Sequence, residues 1–189
     1  MTHRVFLVHG FNVSDCGAKS IDRLRPALEA AGFEVHDFDY GWRGLIGVRL
    51  LNEKTADKLS ALIQEGDVLI GHSNGCDLIH RAIVDSELDC AAVFINPALD
   101  TDTRFPPNLK WLDVYHNHRD TATWWARWLV FHPWGAMGRV GYKGDDPRVR
   151  NFDTMGPFLP HAPGHSGVFN KKVVGFYSRF IANRIHDRA

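Results

Sequence analysis

The stretch VLIGHSNGC (residues 68–76) places a serine between two glycines, directly after a short apolar run. Gly71 and Gly75 lie two residues before and two residues after Ser73, in the pattern G-x-S-x-G. A serine that projects its hydroxyl from a sharp turn between a strand and a helix leaves no room for side chains at those two positions. The stretch therefore predicts a strand, a tight turn that carries Ser73, and a helix.

Short apolar runs alternate with amphipathic segments on both sides of this turn. The runs that are apolar throughout are typical of parallel strands buried on both faces. Strands are predicted at residues 4–8, 34–40, 67–70, 91–95 and 111–115, and helices at 20–31, 51–64, after Ser73 and at 170–185. We therefore predict an α/β fold: a compact, mostly parallel sheet of about five to six strands, with helices on both faces and functional loops at the carboxyl ends of the strands.

The length of the chain predicts its domain organisation. A chain of 189 residues is long enough for one well-buried domain and short for two. We therefore expect residues 1–189 to form a single domain. Residues 121–165 are less regular, because tryptophans crowd their start and Gly and Pro interrupt the rest. We expect this segment to be an irregular insertion that partly caps the sheet.

Composition argues against several classes of partner. The 22 basic residues balance the 22 acidic ones, so no excess of positive charge indicates a nucleic-acid partner. No apolar run approaches the ~18 residues of a membrane span, and the first run is too short for a signal peptide. The three cysteines lack C-x-x-C spacing, which indicates neither a disulfide framework nor a thiolate zinc site. We expect a cytoplasmic protein, with its oligomeric state left open.

Four segments together resemble the α/β-hydrolase superfamily, and the likeness covers most of the chain. They are residues 8–11 (VHGF) after the first strand, the serine turn, Asp120 after the 111–115 strand, and His165 near the C-terminus. The order Ser, Asp, His along the chain is the order that this superfamily uses. The resemblance implies a catalytic triad in which Ser73 is the nucleophile, His165 the general base and Asp120 the acid that orients it.

The resemblance also implies the rest of the site. The backbone N–H groups of Phe11 and Asn74 correspond to the oxyanion hole. His72, Trp124 and Trp128 are candidates for lining a pocket, although the default explanation for the helical spacing of the two tryptophans is core packing. The implied reaction is hydrolysis of a small carboxylic ester, thioester or amide through an acyl-enzyme, and no metal or organic cofactor is implied.

Other residues compete for the same roles. Asp100, Asp102 or Asp153 could supply the carboxylate, because aspartate is common after strands as a turn former. His161 is a second candidate for the general base. Serine is also a favoured N-cap residue, so Ser73 could simply cap the helix that follows it.

Two further functions remain open at this point. One is a non-catalytic protein that binds a small ligand on the same fold. The other is a metal-dependent hydrolase that uses His116, His118 and Asp120, since residues spaced by two lie on one side of an extended segment. The pattern H-x-H-x-D resembles the start of the motif of metallo-β-lactamase-like hydrolases, but Thr121 stands where that motif continues with a histidine.

Overall fold

A single parallel sheet organises the chain in the computed structural model, which describes residues 3–10, 15, 17–41, 45–121 and 135–188. Among these residues six strands pair in the order β2-β1-β3-β4-β5-β6, and every neighbouring pair is parallel. The strands are β1 (Arg4–Val8), β2 (Glu34–Phe38), β3 (Val68–His72), β4 (Cys90–Ile95), β5 (Leu109–His116) and β6 (Val149–Asp153).

Helices lie between the strands in the chain and after the last one. They are α1 (Arg25–Ala30), α2 (Leu45–Ser60), α3 (Asn74–Asp85), α4 (Met137–Val140) and α5 (Val174–His186), with short 3-10 helices at Ile21–Leu24 and Gly167–Phe169. No helix within the described ranges has both the length and the apolar character needed to cross a bilayer.

The sheet separates two apolar layers, because successive side chains of a strand point to opposite faces. On one face Phe6 and Val8 pack with α2, α3 and α4, and on the other Val5 and Leu7 pack with α1 and α5. The central strands β3 and β4 are buried along their whole length, which explains why their sequences are apolar throughout. The predicted fold class, a mostly parallel sheet covered by helices on both faces, is confirmed.

The structure differs from the predicted segmentation in three places. Residues 149–153, predicted to belong to an irregular insertion, form the edge strand β6, which pairs with β5. An edge strand needs only a partly apolar sequence, and the Gly and Pro residues near this strand made the segment resemble a loop. Helix α2 begins at Leu45 rather than Leu51. The segment 20–31 is split into a 3-10 helix and α1, which begins next to Pro26.

The order of the strands reverses at β1, which has β2 on one side and β3 on the other. In open parallel sheets, ligands bind beyond the carboxyl ends of the strands at such a reversal. The loops that leave β1 and β3 begin at His9 and Ser73, so both loops start at this edge of the sheet. The topology therefore directs attention to the surroundings of Ser73.

Candidate active site

Ser73 occupies the turn between β3 and α3, and its backbone conformation is one that residues other than glycine rarely adopt. Its φ is 56° and its ψ is −121°. Such a conformation is strained for any residue other than glycine and persists only where the surroundings enforce it. Here the Ser73 N–H donates to the carbonyl of Ile95 at 3.1 Å, and the Ser73 carbonyl accepts from the N–H of Ala98 at 3.2 Å. The end of β4 therefore braces the turn.

The two flanking glycines lie where no side chain fits. A Cβ on Gly75 would lie 2.3 Å from the carbonyl oxygen of Val8, and one on Gly71 would lie 2.8 Å from Cδ1 of Ile79. The N-terminus of α3 can approach β1 this closely only because position 75 is glycine. Along α3, whose residues are all described, the Ser73 side chain makes no capping hydrogen bond. The capping interpretation of Ser73 therefore has no contact to support it.

Asp120 and His165 meet in a short hydrogen bond. Asp120 ends a turn after β5, in which its N–H donates to the carbonyl of Asn117 at 3.1 Å. Its Oδ2 lies 2.8 Å from Nδ1 of His165. Asp120 is 1% exposed, whereas 23% of the His165 side chain is exposed. Because a carboxylate only accepts, Nδ1 carries the proton, and Nε2 of the neutral ring is left as an acceptor.

The competing residues have different surroundings. In the described part of the chain, the carboxylate bonded to His165 is that of Asp120, whereas Asp100, Asp102 and Asp153 are exposed. His161 is also exposed. A buried carboxylate bonds an imidazole more strongly than a solvated one, since the low local dielectric strengthens the bond. The geometry therefore favours the Asp120–His165 pair among the sequence candidates.

Asn96, which directly follows β4, is a neighbour of this pair that the sequence analysis did not identify. It is fully buried, and its φ is 46°. Its Nδ2 donates to Oδ2 of Asp120 at 3.1 Å and to the carbonyl of Gly138 at 3.3 Å. The signal that could have found it is an asparagine directly after an apolar parallel strand, at the edge of the sheet where the site lies.

His72 is buried beside His165. It is 5% exposed, and its Nε2 donates to the main-chain carbonyl of His165 at 3.0 Å. The centroids of the two rings are 4.8 Å apart. Burial, together with the nearby His165, lowers the pKa of His72 to about 3. His72 is therefore a neutral donor at neutral pH, and its role in lining a pocket stays a prediction.

Of the two candidate oxyanion-hole residues, Asn74 lies within the described part of the chain and Phe11 does not. Asn74 is the first residue of α3, where helix N–H groups favour negative charge, and its side-chain Oδ1 accepts from Nδ2 of Asn52 at 2.9 Å. Phe11 lies outside the described residues, as do Trp124 and Trp128. The backbone that leads to Phe11 is fixed by Tyr40, whose hydroxyl lies 2.9 Å from the carbonyl oxygen of His9 and 2.8 Å from that of Gly10.

The H-x-H-x-D segment does not form the extended row that a metal site there requires. Strand β5 ends at His116, and residues 117–120 form a turn that leaves His118 exposed. The side chains of His116, His118 and Asp120 therefore do not share a face, and among the described residues no group of three or more His, Cys, Asp or Glu side chains is arranged to hold a metal ion. The geometry gives the metal-dependent alternative no support.

A parallel sheet that reverses at β1, with a strained serine turn after β3 and an Asp–His pair after β5 and before the last helix, defines the α/β-hydrolase fold. Solved structures share this fold over nearly the whole chain, which confirms at the level of fold the resemblance found in the sequence. No protein-family model matches the sequence, and no curated protein sequence matches it either.

Three of the similar solved structures illustrate the likeness. A monoacylglycerol lipase from Paleococcus ferrophilus is 15% identical, with a TM-score of 0.62 over 100% of this chain and 96% of that one. The esterase Pf2001 from Pyrococcus furiosus is 14% identical, with a TM-score of 0.64 over 98% and 83%. Alpha/beta hydrolase domain-containing protein 10 from mouse is 15% identical, with a TM-score of 0.66 over 100% and 92%.

Proposed function

We propose that the protein is a serine hydrolase that cleaves a small carboxylic ester through an acyl-enzyme, with Ser73 as nucleophile, His165 as general base and Asp120 as the orienting acid. The observation that carries the proposal is the 2.8 Å contact between the buried Asp120 carboxylate and Nδ1 of His165. It is the arrangement that a base needs in order to accept the proton of a serine hydroxyl. The esterase and the lipase among the solved structures of this fold support an ester as substrate.

The first half of the reaction forms the acyl-enzyme. Oγ of Ser73 attacks the carbonyl carbon of the ester, and Nε2 of His165 takes the hydroxyl proton. Asp120 stabilises the imidazolium through the bond to Nδ1. When the tetrahedral intermediate collapses, the bond to the alcohol oxygen breaks, and His165 returns the proton to that oxygen. The alcohol leaves, and the acyl group remains on Ser73.

The second half repeats these steps with water. His165 takes a proton from a water molecule, which attacks the acyl carbon, and the proton then returns to Oγ of Ser73 as the carboxylic acid leaves. In both halves negative charge develops on the carbonyl oxygen. The N–H groups of Asn74 and Phe11 are proposed to bind that oxygen, and the loss of one such donor typically lowers turnover by about 10²–10³. These steps use protein groups and water alone.

The strained turn supports the assignment of Ser73 as the nucleophile. A serine that only caps a helix has no need of a φ of 56° or of glycines on both sides. In the proposed enzyme the turn holds Oγ away from the helix that follows, where a substrate carbonyl can reach it. The same chemistry serves thioesters and amides, and we propose the ester first because the similar solved structures of this fold include an esterase and a lipase.

The direct test is the intact mass of the protein after exposure to a fluorophosphonate, which adds covalently to an activated serine. We expect one adduct on the wild-type protein and none on Ser73→Ala. Ser86→Ala is the matched control, because Ser86 is the C-cap of α3, at the opposite end of the helix from Ser73, and its removal should leave the adduct in place.

A wild-type protein without an adduct would contradict the proposal and favour a ligand-binding protein on this fold. An adduct that persists in Ser73→Ala would place the nucleophile on another residue. Activity on a panel of p-nitrophenyl esters of increasing acyl length, measured on the wild type and on Ser73→Ala, would then define the acyl group. Retained turnover in Ser73→Ala that a chelator abolishes would indicate metal-dependent hydrolysis.

A further inference from the structure

Two buried side chains, His72 and Asn117, form hydrogen bonds with the backbone of Gly164 and His165. Nε2 of His72 donates to the carbonyl of His165 at 3.0 Å. Nδ2 of Asn117 donates to the carbonyl of Gly164 at 3.2 Å, and the N–H of Gly164 donates back to Oδ1 of Asn117 at 3.3 Å. His72 and Asn117 are 5% and 0% exposed. Three hydrogen bonds from two other parts of the chain therefore fix the backbone that carries the His165 ring.

The chemistry of the His72 ring allows only one direction for its bond. A main-chain carbonyl cannot donate, so Nε2 of His72 must carry the proton. Nδ1 is buried, has no hydrogen-bond partner among the described residues, and faces Gly10, where an added Cβ would lie 3.2 Å from it. A protonated Nδ1 would need an acceptor there and would place a positive charge beside the His165 ring. The site therefore keeps the neutral tautomer that donates from Nε2.

The two side chains come from the elements that hold the other members of the proposed triad. His72 directly precedes Ser73 and is the last residue of β3. Asn117 begins the turn that ends at Asp120, whose N–H donates to its carbonyl. One hydrogen bond thus joins the His165 backbone to β3, which leads to Ser73. Two more join Gly164 to the turn that ends at Asp120. The positions of His165 relative to Ser73 and to Asp120 are set by separate contacts.

We propose that His72 and Asn117 form a backbone clamp, defined as these two side chains bound to Gly164 and His165, that positions the imidazole of His165 between Ser73 and Asp120. The inference rests on the proposed function. Neither side chain touches the reacting atoms, so both are positioning residues. A loosened clamp moves the base by a fraction of an ångström to about 1 Å, and a misplacement of that size costs up to about 10²-fold in rate.

The test compares His72→Phe, which removes the donor but keeps a ring, with His72→Gln, whose side-chain amide can still donate. We expect His72→Phe to lower kcat for a p-nitrophenyl ester by about 10- to 100-fold, with KM changed by less than about twofold, because positioning acts on the chemical step. His72→Gln should recover most of the loss. Asn117→Ala should lower kcat in the same way.

His80→Phe is the matched control, because Nε2 of His80 also donates to a main-chain carbonyl, that of Arg104 at 3.0 Å, but from the middle of α3 and to the loop between β4 and β5. It should leave kcat unchanged. Unchanged kcat in His72→Phe, or no recovery in His72→Gln, would overturn the clamp. Melting temperatures of all variants would separate these results from a loss of folded protein.

A readout that does not depend on turnover separates the clamp from the proposed function. In long-range ¹H–¹⁵N spectra of the histidine rings, we expect His72 to carry its proton on Nε2. We also expect the low-field proton on Nδ1 of His165 to broaden in His72→Phe and to persist in His80→Phe. A proton on Nδ1 of His72, or an unchanged His165 signal in His72→Phe, would overturn the clamp even in a protein that hydrolyses esters. A clamp seen by these signals in a protein without a fluorophosphonate adduct would leave the clamp standing and the hydrolase proposal wrong.

Discussion

At the scale of single residues, the candidate site depends on which nitrogen of His165 carries the proton. The Asp120 carboxylate accepts from Nδ1 and so leaves Nε2 as an acceptor, which in the proposed mechanism takes the serine proton. Asparagine at position 120 could instead donate to Nδ1, which would place the proton on Nε2, where it blocks the base. In the proposed enzyme, the carboxylate therefore acts by selecting a tautomer of His165 as well as by its charge.

This argument predicts a large difference between two aspartates. Asp120→Asn should lower kcat by about 10³-fold or more, whereas Asp100→Asn, in an exposed position after β4, should change it by less than about twofold. Steady-state hydrolysis of a p-nitrophenyl ester by both variants measures the difference. Equal losses, or a larger loss in Asp100→Asn, would move the acid to another residue.

A second residue-scale prediction concerns His72 and acid. Burial lowers the pKa of its imidazole to about 3, whereas the pKa of an unfolded histidine is about 6.5. Between these values the unfolded chain binds a proton that the folded protein does not, so the free energy of unfolding falls as the pH falls. The slope from this one group is about 1.4 kcal/mol per pH unit below pH ~6. Above pH ~7 the effect vanishes.

The contribution of His72 is measured as a difference between variants. Urea unfolding between pH 4 and pH 8 should show that the free energy of unfolding falls less steeply with falling pH in His72→Gln than in the wild-type protein. His161→Gln, at an exposed position, should follow the wild-type curve. Parallel curves for wild type and His72→Gln would mean that His72 titrates alike in the folded and the unfolded protein.

At the scale of elements, the serine turn depends on how closely α3 approaches β1. We expect Gly75→Ala to prevent stable folding or to destabilise the protein by several kcal/mol. The added Cβ would lie 2.3 Å from the carbonyl oxygen of Val8 and 2.6 Å from that of His9. Both atoms belong to the backbone, which cannot move aside as a flexible side chain can. Gly175→Ala is the matched control on α5, where the nearest atom would lie 3.8 Å away. Thermal unfolding should show it to be as stable as the wild type or slightly more stable, because alanine favours helix. A Gly75→Ala protein with a wild-type melting temperature would contradict the close approach.

The elements also mark what the sequence could and could not predict. Strands β3 and β4 were predictable because a strand buried on both faces must be apolar throughout. The glycines at 71 and 75 likewise indicated the tight turn in which α3 approaches β1. Strand β6 was missed because an edge strand lacks that constraint. The pairing of Asp120 with His165 was predicted from the resemblance to the α/β-hydrolase superfamily, and Asp100, Asp102 and Asp153 stayed open because chain order does not separate them from Asp120. The clamp could not be predicted, because His72 and His165 are 93 positions apart, and only the folded chain brings them together.

At the scale of the whole molecule, the C-terminal helix joins the sheet on the same face as the His165 loop. Ala162, Val168 and Phe169, around that loop, lie in the apolar layer that also holds Tyr177 and Ile181 of α5. A polar contact on β5 strengthens this docking. Asp113, fully buried on that strand, accepts from Nε of Arg184 at 2.9 Å and from Nη1 of Arg188 at 3.0 Å. We therefore expect the position of His165 to depend in part on this contact on β5, the strand next to the edge of the sheet.

Asp113→Asn tests this dependence, since it removes the charge that both guanidinium groups face. Breaking a buried ion pair from one side typically costs about 3–5 kcal/mol, and we expect roughly 3 kcal/mol, the lower end, because Arg184 and Arg188 keep some contact with solvent. Glu29→Gln, which removes a half-exposed partner of Arg25, should cost less than about 0.5 kcal/mol. Urea unfolding at neutral pH measures both.

Since α5 packs in the same layer as the His165 loop, Asp113→Asn should also lose ester turnover at a lower urea concentration than Glu29→Gln does. Equal stability of the two variants would show that the apolar layer alone holds α5 to the sheet.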